Sequence, residues 1–111
     1  QRGACSIIQA DVARIGGITP WLKCAHLAES FNVPICPHFL MELHVGLCAA
    51  VPNAPWVEYI PQLDSVTLGE GCGMASEGGF AIPSVQLGLG IEWDWQAVER
   101  LAVRRATVGG H

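Results

Sequence analysis

Two prolines bracket an isoleucine and a cysteine in the stretch Val33–Pro37 (VPICP), and a histidine follows at position 38. Proline carries no N–H and is poorly tolerated inside a central strand, so this apolar run is a short strand that has to stop at His38. Two similar runs stand on either side: Ser6–Ala10 (SIIQA), ending at Asp11, and Trp56–Ile60 (WVEYI), with Glu58 inside it. Helical patterns lie between them. Thr19 as N-cap with Pro20 at the first helical position opens one, whose buried stripe is Trp21, Cys24, Ala25, Ala28 and Phe31. Asn32 in a left-handed conformation and Pro34 close it. Leu40–Val51 is expected to be the second helix, with Leu40, Leu43, His44, Leu47 and Val51 on one face and Pro52 as terminator. The order β-α-β-α-β with short connections favours a parallel α/β arrangement.

After Pro61 the pattern changes. Residues 69–90 are rich in glycine, which predicts loops and a hairpin around Glu77-Gly78-Gly79, with Phe80–Pro83 as a strand. Asp94 is placed to cap a last short helix running to Leu101, and Thr107–His111 should fray. Half of the 111 residues are hydrophobic and only 14% charged, too apolar for a disordered segment. The net charge of −4 argues against a nucleic-acid partner or an anionic membrane surface, and no apolar run approaches the roughly 18 residues of a membrane span. Gln1–Cys5 carries no signal-peptide pattern, and Cys5, Cys24, Cys36, Cys48 and Cys72 form no C-x-x-C pair. Reduced thiols in a cytoplasmic protein are the expectation.

Asp11, His38 and Glu58 each fall at or near the C-terminal end of a strand, 27 and 20 residues apart. In a parallel sheet or barrel, successive strand ends share one rim, where barrel enzymes carry their active sites. An aspartate beside a histidine fixes the imidazole tautomer and raises its basicity, giving a proton-transfer pair. A carboxylic acid on the next strand can hydrogen-bond a substrate oxygen if it stays protonated. Each residue also has a plainer reading. Asp11 can cap a turn before Gly16-Gly17, Glu58 can face solvent from an edge strand, and His38 can be a hydrogen-bonded structural histidine. Cys36, His38, Glu42 and His44 invite a zinc reading, but C-x-H-x₅-H fits no standard zinc spacing.

The stretches "ADVARIGGITPWLKCAHLAE", "PICPH" and "APWVEYIP" resemble the C-terminal part of enolase-superfamily enzymes of the mandelate racemase/muconate lactonizing group. "PHFLMELHVGLCAAVPNAPWVEYIP" is most similar to acid-sugar dehydratases of that group. The resemblance covers roughly residues 3–100. It implies an α/β fold: strands 6–8 of a TIM-type (β/α) barrel in residues 1–68, and a segment returning to an α+β capping domain in residues 69–111. It also implies that Asp11 and His38 form the dyad of the sixth and seventh strands, and that Glu58 on the eighth hydrogen-bonds the substrate carboxylate as it becomes an enediolate. The implied enzyme is a Mg²⁺-dependent hydro-lyase of carbohydrate-acid catabolism acting on an aldonate or aldarate. A mandelate-type racemase or epimerase, or a non-catalytic α/β fragment, is the alternative. Enolase-superfamily sites use a Lys or His base with Mg²⁺. The resemblance puts the Mg²⁺ ligands and a lysine base upstream of Gln1, so no metal ligand is expected in this chain, and the chain alone should be inactive. The partners it implies are the sugar acid, the N-terminal part of the same enzyme and further copies in a homo-oligomer.

Overall fold

The computed structural model describes residues 3–68 and 73–106. Thr107–His111 and Cys72 lie outside the described residues. The elements are helix α1 (Ile18–Glu29), helix α2 (Met41–Ala49), strands β1 (Met74–Glu77) and β2 (Phe80–Pro83), and helix α3 (Trp95–Leu101). The two apolar runs that precede α1 and α2 lie side by side and parallel, joined at one bridge, Ile8–Ile35. The Ile8 N–H donates to Pro34 C=O (3.0 Å), Cys36 N–H to Ile8 C=O (2.8 Å) and His38 N–H to Ala10 C=O (3.3 Å). The prolines explain why so little regular strand forms. Pro34 and Pro37 have no N–H, and the Ile35 N–H turns the other way, to Asn53 C=O at 2.8 Å. Trp56–Ile60, expected as a strand, does not form one. It is held instead by side chains, among them the Cys48 Sγ contact to Trp56 C=O at 3.8 Å.

Alternation along the first run separates two faces. Ile8, Ala10 and Val12 pack with Trp21, Ala25, Ile35, Cys48 and Val51, while Gln9 and Asp11 point away from that core. Trp21 is fully buried, and its indole N–H donates to Ala10 C=O at 3.1 Å, tying α1 to the end of the run. The expected Thr19 cap is not used. Gly17, at φ 113°, is the N-cap and α1 begins two residues earlier, at Ile18. Gly16-Gly17 lets the turn after Asp11 run straight into the helix, and Pro20 then falls in the first turn, where its missing N–H costs nothing. Trp21, Ala25 and Ala28 are buried as the stripe required, whereas Phe31 is exposed. Asn32 is left-handed, φ 54°, and ends the helix as expected.

Helix α2 begins at Met41 behind a left-handed Leu40, and its buried residues are Met41, Glu42, His44, Val45 and Cys48. That face is displaced from the expected one. The helix is covered on two sides, by the Trp21 cluster and by a second cluster of Met41, Val45 and Met74. The hairpin forms at the expected place, with Glu77 opposite Phe80 and both turn glycines at positive φ (59° and 84°), the backbone that a two-residue hairpin requires. The Asp94 carboxylate caps α3 by accepting the Ala97 N–H at 3.0 Å. Leu68 N–H to Glu92 C=O and Asp94 N–H to Val66 C=O, at 2.8 and 2.9 Å, tie α3 back to the segment after Pro61. Among the described residues no helix is long and apolar enough to cross a membrane.

Asn53 joins these parts. Its amide donates to Ala25 C=O (3.0 Å) and Val33 C=O (3.1 Å), linking α1 to the second run. Asn53→Ala should therefore lower unfolding stability by about 1–3 kcal/mol, the usual cost of leaving buried polar groups unpaired. Urea denaturation of the two chains checks this.

Candidate functional site

The turn that follows the first run sets the position of Asp11. Its Oδ1 accepts the N–H of Ala13 (2.8 Å) and of Arg14 (3.3 Å), a side-chain-capped turn. Its Oδ2 accepts from His38 Nδ1 at 3.1 Å. The turn-capping and paired-histidine readings of Asp11 are therefore both true, one for each oxygen. The residue is 8% exposed. Burial raises its carboxyl, but the hydrogen bonds from His38 and from the Ala13 and Arg14 amides, with the Arg14 charge, outweigh it and hold the group below its ordinary 3.8.

His38 sits where the second run ends, half-exposed, with its amide on Ala10 C=O. Because the Asp11 carboxylate only accepts, the shared proton resides on Nδ1, and Nε2 is left for an incoming group. The Phe39 ring lies flat on the imidazole, centroids 4.8 Å apart and planes 8° from parallel. Phe39 and Leu40 both have positive φ, 61° and 42°, a conformation costly for side chains of this size. The kink turns the chain from the second run into α2.

Glu58 joins the same group. Its Oε2 accepts the Phe39 N–H at 2.7 Å and its Oε1 accepts the Gln9 amide at 3.3 Å. Asp11, His38 and Glu58 thus come together, with Glu58 attached to the residue after His38 and not to His38 itself. The Glu58 charge and burial push the Cys36 thiol up, burial being the larger effect, so Cys36 is a poor nucleophile beside His38.

Three members of this group escape a reading for ionisable strand ends. Gln9 had a signal, since it alternates with Asp11 and faces the same way. Phe39 had none, because a positive φ at phenylalanine cannot be foreseen from residue type. His44 reads from the sequence as part of one face of the second helix or as a zinc ligand, and neither reading ties it to Asp11 and His38. It is fully buried and structural: Nδ1 donates to Phe39 C=O (2.6 Å) and Leu40 C=O (3.0 Å), and Nε2 accepts the Val12 N–H (3.0 Å).

Neither acid is free to hold a hard cation. Both oxygens of Asp11 and both of Glu58 already accept hydrogen bonds, and Mg²⁺ demands a nearly octahedral oxygen shell. Among the described residues no group of three or more His, Cys, Asp or Glu is disposed to bind a metal. This donor set does not fit Mg²⁺.

Burial holds the His44 imidazole below its ordinary 6.5, against its two carbonyl contacts and the Asp11 charge, with the His38 charge acting in the same direction as burial. An unfolded histidine protonates first as the pH falls, so folding stability is complete above 6.5 and declines as the pH drops from there toward the depressed folded value. Denaturant midpoints between pH 8 and 5 should fall on the acid side for the natural chain, and less steeply for His44→Gln. Equal slopes would show that His44 is not buried neutral.

Residues 1–97 match the enolase C-terminal domain-like family. The L-talarate/galactarate dehydratase of Salmonella typhimurium LT2 is 43% identical over 61 residues, 55% of this chain and 15% of that protein. The crystal structure of L-talarate dehydratase from Polaromonas sp. JS666, complexed with Mg and L-glucarate, superposes with a TM-score of 0.77 at 38% identity, covering 86% of this chain and 25% of that one. The Salmonella enzyme liganded with Mg and L-lyxarohydroxamate superposes with a TM-score of 0.76 at 34% identity, over 85% of this chain and 23% of that one. The chain thus spans about a quarter or less of the length of these proteins. With 97 of its residues matched, the chain belongs to the enolase C-terminal domain-like family, within the enolase superfamily.

Proposed function

We propose that this chain supplies the dyad end of a Mg²⁺-dependent acid-sugar dehydratase. In this reading residues 1–68 are strands 6–8 of the (β/α) barrel, and residues 69–111 return to a capping domain, against which the exposed Phe80, Val85 and Leu87 would rest. The observation that carries it is the Asp11–His38 contact at 3.1 Å, with Glu58 bound to the next residue, in a chain similar to talarate and galactarate dehydratases. Mg²⁺ comes to the reading from those relatives, and its ligands belong to barrel strands other than these.

The chemistry assigned to these residues is proton transfer. A base removes the proton α to the substrate carboxylate, and the C–H electrons form an enediolate. As the enediolate collapses, the β C–O bond breaks and the hydroxyl leaves as water. His38, protonated and held by Asp11, delivers the proton that the departing hydroxyl needs. Its Nε2 faces the substrate because Nδ1 is committed to the carboxylate. Glu58 stands one residue away; in its acid form it would donate a hydrogen bond from Oε1 to the substrate carboxylate in place of the long Gln9 contact, while Oε2 keeps the Phe39 N–H.

The complete barrel that includes these residues should dehydrate L-talarate or galactarate. Asp11→Asn should lower kcat by about 10²–10⁴-fold, the span of a general acid–base contribution, because the imidazole keeps its place but loses tautomer control. Glu58→Gln should retain more activity than Glu58→Ala, since the amide can still hold the Phe39 N–H. Steady-state kinetics on the two sugar acids decides. Full activity in Asp11→Asn would remove the dyad from the mechanism.

A further inference from the structure

We infer that His44 is a positioning residue for the Asp11–His38 pair, closing a ring of hydrogen bonds that sets the two side chains against each other. The inference rests on the dyad reading above and adds to it a residue outside the three strand ends.

The ring can be followed atom by atom. From Asp11 Oδ2 it crosses to His38 Nδ1 at 3.1 Å and runs along the chain to the Phe39 carbonyl. There it meets His44 Nδ1 at 2.6 Å, crosses the imidazole to Nε2, and passes to the Val12 N–H at 3.0 Å. Val12 is bonded to Asp11, which completes the circuit. His44 therefore grips the residue after each member of the pair, and it does so from a third element, α2.

Only one form of the imidazole serves. The carbonyls of Phe39 and Leu40 can only accept and the Val12 N–H can only donate, so His44 must be neutral with its proton on Nδ1. A second proton would face the Val12 N–H donor to donor. Burial keeps that proton away, in line with the lowered affinity noted above. The Leu40 carbonyl is also reached, at 3.0 Å, so the same N–H spans both left-handed residues of the kink. Strain of this kind persists only where its surroundings enforce it. If it relaxes, the Phe39 ring leaves the face of His38, and the imidazole loses both its lateral support and its alignment on Asp11.

The test reads the tautomer of His38 in the full 111-residue chain by long-range ¹H–¹⁵N correlation above neutral pH. In the natural chain His38 should be a single species with the proton on Nδ1. His44→Leu keeps the apolar volume but neither polar contact, and should turn His38 into a mixture of both tautomers, collapsing the separation of its two nitrogen shifts. His44→Gln carries a donor and an acceptor, and should restore part of that separation. If His44→Leu does not fold, the natural chain and His44→Gln carry the test. The Val12 amide of the natural chain should be as protected from exchange as that of His38, and less so in His44→Gln. A single Nδ1–H tautomer in all three chains, or a Val12 amide open to exchange in the natural chain, overturns the role of His44 while leaving the Asp11–His38 pair standing. A mixture already present in the natural chain removes the pair itself.

Discussion

Two hydrogen bonds, Cys36 N–H to Ile8 C=O and His38 N–H to Ala10 C=O, fix the register in which the first two apolar runs lie side by side. Everything at the site follows from that register. It brings the residue after Ala10 level with the residue after Pro37, so Asp11 and His38 meet. Because side chains alternate along an extended run, a slip of one residue would send Asp11 into the Trp21 core and bring Val12 to the site. The core resists that slip: Ile8, Ala10 and Val12 all pack with Trp21 and Ile35, and the Trp21 indole holds the Ala10 carbonyl directly. The hydrophobic face and the reactive face are two consequences of one alignment.

The polar groups divide the work by what each can donate or accept. Asp11 has four acceptor directions and uses them on a turn and on a histidine. Glu58 spends its oxygens on a backbone amide and on Gln9, which stabilises the kink that follows His38. His44 is kept neutral by burial and joins Val12 to Phe39. These assignments leave one ring nitrogen of His38 uncommitted in a partly open position, which is what a proton carrier requires. They also occupy both oxygens of Asp11 and of Glu58.

Much of this was legible in the residues. Asp94 before an apolar helical segment, Gly78-Gly79 between two short runs, and Asn32 before Val33-Pro34 each carry local chemistry that admits few alternatives, and each behaves accordingly. Asp11 and His38 were legible for the same reason, since each ends an apolar run, one helix and one strand apart, whereas Glu58 lies inside a run that forms no strand. What was not legible depends on contacts distant in the chain. Thr19 gives way to Gly17 as the cap because the turn from Asp11 leads directly into the helix. The face of α2 is displaced because Met74, some thirty residues on, covers it. Trp56–Ile60 is held by side chains and not by a ladder. The consecutive positive φ values at Phe39 and Leu40 arise from the meeting of His38, Glu58 and His44, and no residue preference announces them.

The central claim is that His38, oriented by Asp11, transfers a proton in an elimination from a sugar acid. The most direct measurement follows two events at once in the complete enzyme carrying His38→Asn: exchange of the substrate α-hydrogen with D₂O, and formation of the dehydrated product. The account assigns His38 to the departing hydroxyl and α-proton removal to a base elsewhere in the barrel. It predicts that exchange continues while dehydration falls by about 10²-fold or more. Dehydration at the natural rate in His38→Asn would contradict it.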